Sequence, residues 1–175
     1  PLTYQLVGEN QVCINDGSIM VNVTSGSAAQ YEIFAGPMIR PLQTSNVFTN
    51  LTAGQYSVRV YDSCGEGVVQ TFTLIDMTTT FSLSNFINKL TTCTFSFSVN
   101  RIGNSIIKYP LQVQITITPF GQSPIQYTQT IASGNSFTSA ISQLISVPAN
   151  TNFDYTVTVT NGCNETQTAS GILPF

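Results

Sequence analysis

Apolar and polar residues alternate with a period of two along most of this chain. Tyr56-Ser-Val-Arg-Val60 and Phe95-Ser-Phe-Ser-Val99 show the pattern most cleanly. A period of two puts successive side chains on opposite faces of an extended strand, so one face is apolar and the other polar. In the first half the predicted strands are Tyr4–Val7, Ser18–Thr24, Gln30–Phe34, Gln55–Tyr61 and Val68–Ile75. In the second half they are Thr92–Asn100, Leu111–Thr118, Ile125–Ile131, Phe137–Val147, Phe153–Thr160 and Thr166–Ile172. Turn signals separate them: Asn15-Asp-Gly17, Ser25-Gly-Ser27, Ala53-Gly54, Pro119-Phe-Gly121, Ser133-Gly-Asn135 and Asn161-Gly162. Short strands at about ten-residue spacing predict an all-β fold of immunoglobulin-like β-sandwiches. One segment departs from the pattern. Ser84-Asn-Phe-Ile-Asn-Lys-Leu90 reads either as a short helical turn capped by Ser84 or as an irregular lead into a second sandwich.

Composition supports the strand reading and narrows the chemistry. Only 13 of 175 residues are charged, and there is no His and no Trp. Thr, Ser, Asn and Gln make up about two-fifths of the chain, so the outward strand positions carry hydroxyls and amides in place of charge. Lys and Glu, good helix formers, are scarce, while the β-branched residues are abundant. Without His there is no Ser-His or Cys-His nucleophile pair, and most zinc sites are excluded. Five cations in 175 residues do not neutralise a phosphate backbone, which argues against a nucleic-acid partner. No apolar run approaches the roughly 20 residues of a spanning helix, so no membrane insertion is expected. A surface of neutral polar groups is insensitive to salt and suits the outside of a cell.

The cysteines are Cys13, Cys64, Cys93 and Cys163, and none lies in a C-x-x-C pair. A weak repeat organises them. Tyr56-Ser-Val-Arg-Val-Tyr-Asp-Ser-Cys64 and Tyr155-Thr-Val-Thr-Val-Thr-Asn-Gly-Cys163 both read Tyr-x-Val-x-Val-x-x-x-Cys. Cys13 precedes an alternating strand and Cys93 opens one. Each half thus begins and ends with a cysteine, which predicts the pairs Cys13–Cys64 and Cys93–Cys163, one disulfide in each domain. The domains run from 1 to 76 and from 77 to 175, with a seam at Asp76-Met-Thr-Thr-Thr80. The start at Pro1 reads as a processed chain or a piece of a longer one.

The first half resembles a known family. Cys13-Ile-Asn-Asp-Gly-Ser-Ile19, then Val21-Asn-Val23, Ser25-Gly26 and Tyr31-Glu-Ile-Phe34 lead to Leu51-Thr-Ala-Gly-Gln-Tyr-Ser-Val-Arg-Val-Tyr-Asp62. In order and spacing this is similar to the SprB-type repeat of large surface adhesins in gliding bacteria. Two features depart from the repeat. Gly65 follows Cys64 where the family's Gly precedes it, and the family's Pro-Tyr and Trp are absent from the aromatic strand. The second half keeps only the outer frame, Cys93 and Tyr155 to Cys163. The resemblance implies an immunoglobulin-like sandwich and export across the outer membrane by type 9 secretion. It also implies a spacer or adhesive role in a bacterial cell-surface protein, with neighbouring repeats as partners.

Candidate sites are few. Asp16 and Asp62 lie in turns beside the cysteines of the first half, and paired carboxylates there are a candidate calcium site. The plainer reading is that each Asp caps its own turn. No other cofactor is implied. Glycoside hydrolysis needs two carboxylates across a cleft, and nothing marks one, so the chain reads as non-enzymatic. Tyr56 and Tyr155 share a face with Val58/Val60 and Val157/Val159, which places them in the core. The function expected is therefore a structural or adhesive module of an extracellular bacterial protein, with a glycan or other surface ligand. The alternatives are a filament or pilus subunit joined by strand pairing, with Pro1–Val7 or Gly171–Phe175 as the donated strand, and a carbohydrate-binding module using exposed Tyr or Phe.

Overall fold

The computed structural model of the chain describes residues 1–89, 94–148 and 150–174. Among them the protein is all-β, with no helix and fourteen strands. The chain divides into two compact units, Pro1–Thr78 and Thr79–Phe175.

In the first unit the strands are β1 (Thr3–Glu9), β2 (Gly17–Ser25), β3 (Ala28–Ala35), β4 (Arg40–Gln43), β5 (Val47–Leu51), β6 (Gly54–Asp62) and β7 (Gly67–Leu74). They form a three-stranded sheet in the order β1-β2-β5 and a four-stranded sheet in the order β4-β3-β6-β7. Every pairing is antiparallel. The inward residues of both sheets join in one core: Tyr4, Ile19, Val21, Tyr31, Ile33, Phe48, Leu51, Tyr56, Val58, Val60 and Leu74. The alternation in β6 is the reason for its central place. Tyr56, Val58 and Val60 are fully buried, while the alternate residues Ser57, Arg59 and Tyr61 face outward. Full burial of each such side chain contributes about 1.5–3 kcal/mol.

The second unit repeats the plan. Its strands are β8 (Phe81–Lys89), β9 (Thr94–Arg101), β10 (Leu111–Pro119), β11 (Ile125–Ile131), β12 (Thr138–Leu144), β13 (Phe153–Thr160) and β14 (Thr166–Leu173). They form β12-β9-β8 and β11-β10-β13-β14. This is the strand order of the first unit, position for position. The core is richer in aromatic rings. Phe86 lies 5.6 Å from Phe97 and 4.9 Å from Tyr155 by ring centroid, and Phe95 lies 5.3 Å from Tyr155.

The structure settles the ambiguous stretch as β8, extended and bulged, not helical. Asn85 has φ 57°, and the pairing with β9 shifts register between Ser84 and Ile87. An extra residue in left-handed backbone breaks the period of two and hides a strand. Leu90 lies outside the described residues. Two strands escape the sequence pattern altogether. β4 is four residues long and holds Pro41. In β5, Phe48 and Leu51 both point inward although they are three apart, because Asn50 takes φ 56° between them. The candidate donor strands are ordinary: residues 3–7 pair within β1–β2, and 171–173 within β13–β14. Phe175 lies outside the described residues.

The expected disulfides are not the ones formed. Cys64 is a free, exposed thiol, whereas Cys13 and Cys163 are disulfide-bonded. Cys13–Cys64 and Cys93–Cys163 are therefore both displaced, and Cys93 lies outside the described residues. The repeat of Cys64 and Cys163 is a repeat of turn geometry, and it says nothing about bonding partner.

Candidate functional site

The two cysteine-bearing turns have one construction. β6 and β7 are joined through residues 62–66, and β13 and β14 through 161–165. In the first, the Asp62 N–H donates to Glu66 O (3.0 Å) and the Gly65 N–H to Asp62 O (3.2 Å). In the second, the Asn161 N–H donates to Glu165 O (2.9 Å) and the Asn164 N–H to Asn161 O (3.0 Å). The fourth residue must adopt left-handed backbone, which Gly65 (φ 83°) and Asn164 (φ 62°) do at low cost.

Within that frame the predicted site residue Asp62 has a defined job. Its Oδ1 accepts from the N–H groups of Cys64 (2.8 Å) and Glu66 (2.9 Å). Asn161 Oδ1 accepts from Cys163 (2.9 Å) and Glu165 (3.0 Å) in the same way. A neutral amide thus does in one unit what a carboxylate does in the other. The geometry needs an acceptor oxygen and no charge. Asp16 also serves its own turn, accepting from the Val12 N–H at 2.8 Å. Among the described residues no group of three or more Asp, Glu, His or Cys is placed to hold a metal ion.

Asn161 goes further than Asp62 because it is buried. Its Nδ2 donates to Thr79 Oγ1 (2.9 Å) and Glu165 Oε2 (3.3 Å), and Thr79 Oγ1 donates to Glu165 Oε2 (2.9 Å). This closed triangle fixes the start of the second unit to its last hairpin.

The tyrosines are also informative. Tyr56 opens β6 and donates its hydroxyl hydrogen to Thr52 O at 2.7 Å, four residues back. The bond ties the corner between β5 and β6, and it explains the Leu51-Thr-Ala-Gly-Gln-Tyr56 run. Gly54 sits in that corner at φ 140°, and a Cβ there would collide with Pro37 Cγ. Tyr4 places its hydroxyl between the carbonyls of Val58 and Val68, 3.0 Å from each. Burial pushes its pKa up to about 12, partly offset by a hydrogen bond from the Gln70 backbone.

The strongest candidate for recognition was not visible as a motif. It lies on the outward face of the four-stranded sheet of the first unit. Glu32 on β3 and Arg59 on β6 are cross-strand partners, and Arg59 Nη1 donates to Glu32 Oε1 at 2.9 Å. This is the one ion pair among the described residues. The Tyr61 hydroxyl donates to the same Glu32 oxygen (2.9 Å) and accepts from Arg59 Nη1 (3.1 Å). The guanidinium also lies over the ring of half-exposed Phe34, 4.1 Å from its centroid. The Tyr61 hydroxyl first, then the Glu32 charge, hold the guanidinium still more firmly protonated than usual. An exposed ion pair adds at most about 1 kcal/mol and a surface cation–π contact about 0.5–1 kcal/mol. In a chain almost without charge, such a cluster is poorly explained by stability. What it does supply is an Arg and a Tyr held together with a Phe on one outward face, and Arg and Tyr are residue types that anchor protein contacts. The sequence signal was there in the alternation: Glu32 and Phe34 alternate with inward Tyr31 and Ile33, and Arg59 and Tyr61 with inward Val58 and Val60.

No family model matches the chain, and no curated protein matches it. Among solved structures it is similar to the chicken interferon gamma receptor alpha chain, with 9% identity over 100% of this chain and 99% of that one, at a TM-score of 0.36. A β-glucuronidase of Parabacteroides merdae matches with 10% identity over 99% of this chain and 24% of that one, at 0.33. A DUF3823 family protein of Bacteroides uniformis matches with 9% identity over 95% of this chain and 93% of that one, at 0.34. Scores this low carry no weight for function.

Proposed function

We propose that the chain is a pair of immunoglobulin-like modules from an extracellular bacterial surface protein, non-enzymatic, that presents a recognition face to a surface ligand. Each unit sets a three-stranded sheet against a four-stranded one in the same order, and a tyrosine ties the corner before β6. Both features support the immunoglobulin-like reading. The Leu51–Asp62 run that makes this corner is the part most similar to the SprB-type repeat. Disulfide bonding at Cys13 and Cys163 supports an oxidising compartment. No helix among the described residues is long and apolar enough to cross a membrane.

The observation that carries the functional reading is the Glu32–Arg59–Tyr61–Phe34 cluster. It is a preorganised polar and aromatic group on an open sheet face, where a ligand surface has access. Adhesion of beads coated with the chain to bacterial and host cell surfaces tests it. The wild-type chain is expected to adhere, and Arg59→Ala to lose most of the adhesion at an unchanged melting temperature. Adhesion unaffected by Arg59→Ala contradicts the proposal.

A further inference from the structure

Edge strands expose a row of backbone N–H and C=O groups. Soluble sheets blunt them with brevity, proline, charge or a bulge. β4 ends the four-stranded sheet of the first unit and has all of these. It has four residues, Arg40 and Pro41 among them, and its register shifts against β3. Arg40 Nη2 also donates to the carbonyls of Thr49 (3.2 Å) and Asn50 (3.0 Å), which pins the strand down. β11 holds the same place in the second unit and has none of these devices. Ile125-Gln-Tyr-Thr-Gln-Thr-Ile131 carries no charge and no proline, and its seven pairs with β10 run without a shift. The opposite edges are less open. At β7 the Tyr4 hydroxyl reaches the Val68 carbonyl, and Gln70 Nε2 donates to the Tyr4 carbonyl (2.7 Å). β14 packs against β8.

We propose that β11 is a homotypic docking edge, at which two copies of this chain pair antiparallel about a two-fold axis through Thr128. The two four-stranded sheets then become one sheet of eight strands. The strand is nearly its own complement, as an isologous contact requires. In this register Ile125 faces Ile131 of the second copy, Gln126 faces Thr130, Tyr127 faces Gln129, and Thr128 faces Thr128. The outward pairs are ones the protein already makes across its own ladders. Thr130 Oγ1 donates to Gln112 Oε1 at 2.7 Å between paired residues. The hydroxyls of Thr158 and Thr168 lie 3.2 Å apart, and those of Thr160 and Thr166 2.9 Å apart. No charge on β11 opposes the approach. The strand also holds the one buried side-chain oxygen without a donor among the described residues, Gln129 Oε1. β12 is also uncharged, but its self-pairing about Ile141 sets exposed Leu144 against Thr138 and is not complementary.

Light scattering of the whole chain over a concentration series tests the proposal. The wild type is expected to approach twice the 18.9 kDa of one chain as concentration rises. Thr128→Lys and Thr128→Glu, each setting like charges face to face, are expected to stay at one chain mass. An equimolar mixture of the two is expected to regain the doubled mass. Ser142→Lys on β12 is expected to dimerise as the wild type does. Amide exchange on the wild type gives a reading that needs no variant: the amides of 125–131 become more protected as concentration rises. A wild type that stays monomeric, a Thr128→Lys chain that still dimerises, a mixture that does not reassemble, or exchange in 125–131 independent of concentration each overturns it.

Discussion

The two units share a strand order and a closing hairpin, yet they are stabilised and exposed differently. The first uses buried tyrosines, whose hydroxyls bond backbone carbonyls at Thr52, Val58 and Val68. The second packs a cluster of phenylalanines against Tyr155 and satisfies its hairpin through the Thr79–Asn161–Glu165 triangle. The first blunts its outer strand and places an ion pair on its open face. The second leaves its outer strand long and neutral. The frame is thus set by alternation and turn geometry, while the outward residues and edges differ between the two units.

The contrast is open to attack at several points, starting with the cores. Phe95→Ala removes a ring from the aromatic stack and is expected to cost about 3–5 kcal/mol in urea unfolding. Tyr56→Phe keeps its ring and loses only its hydroxyl's bonds to Thr52 O and Thr52 Oγ1, so about 1–2 kcal/mol is expected. Equal losses would mean that the two cores are not built on different principles.

The hairpins give the next largest difference. Asn161→Ala removes the donor to Thr79 Oγ1 and the acceptor of the Cys163 and Glu165 N–H groups and is expected to cost about 2–3 kcal/mol. Asp62→Ala, in an exposed turn, is expected to cost about 1 kcal/mol. Asp62→Asn copies the second unit and is expected to leave the melting temperature unchanged, with or without calcium. A calcium-dependent rise in the wild type that vanishes in Asp62→Asn would support the ion-site reading of Asp16 and Asp62.

A smaller test uses pH. Tyr4 titrates near 10.0 when unfolded and at about 12 when folded. A raised folded value means that the neutral phenol is the form the fold stabilises. Its contribution is whole below pH 10 and is lost as pH climbs from 10 to 12. Melting temperature is expected to fall across that window, and less steeply in Tyr4→Phe. The smallest effect concerns thiols. Without reductant, Cys64 is expected to take up an alkylating reagent completely in the native chain, while Cys13 and Cys163 do so only after reduction.

The sequence showed both sandwiches wherever side chains alternate without interruption, as in β6, β9, β10 and β13. It hid the strands in which left-handed asparagines at positions 50 and 85 shift the period, and β4, which is too short to alternate. The repeated Tyr-to-Cys run correctly marked two equivalent hairpins. It misled on disulfides because turn geometry and bonding partner are independent properties of a cysteine. Asp16 and Asp62 drew attention as rare charges beside cysteines, and one oxygen of each accepts from local N–H groups, as turn caps do. The Glu32–Arg59 pair was legible only as two outward charges on separate strands. Without the cross-strand register of β3 and β6, nothing in the sequence brings them together.

The central claim is that one frame has been built twice, with its most stable part in the middle strands and closing hairpin of each unit. Site-resolved amide exchange tests it most directly. The slowest amides are expected in β2, β3 and β6 and equally in β9, β10 and β13. The turn amides of Cys64 and Glu66 are expected to be protected as those of Cys163 and Glu165 are. Slow exchange confined to one unit, or unprotected amides at Cys64 and Glu66 beside protected ones at Cys163 and Glu165, would contradict it.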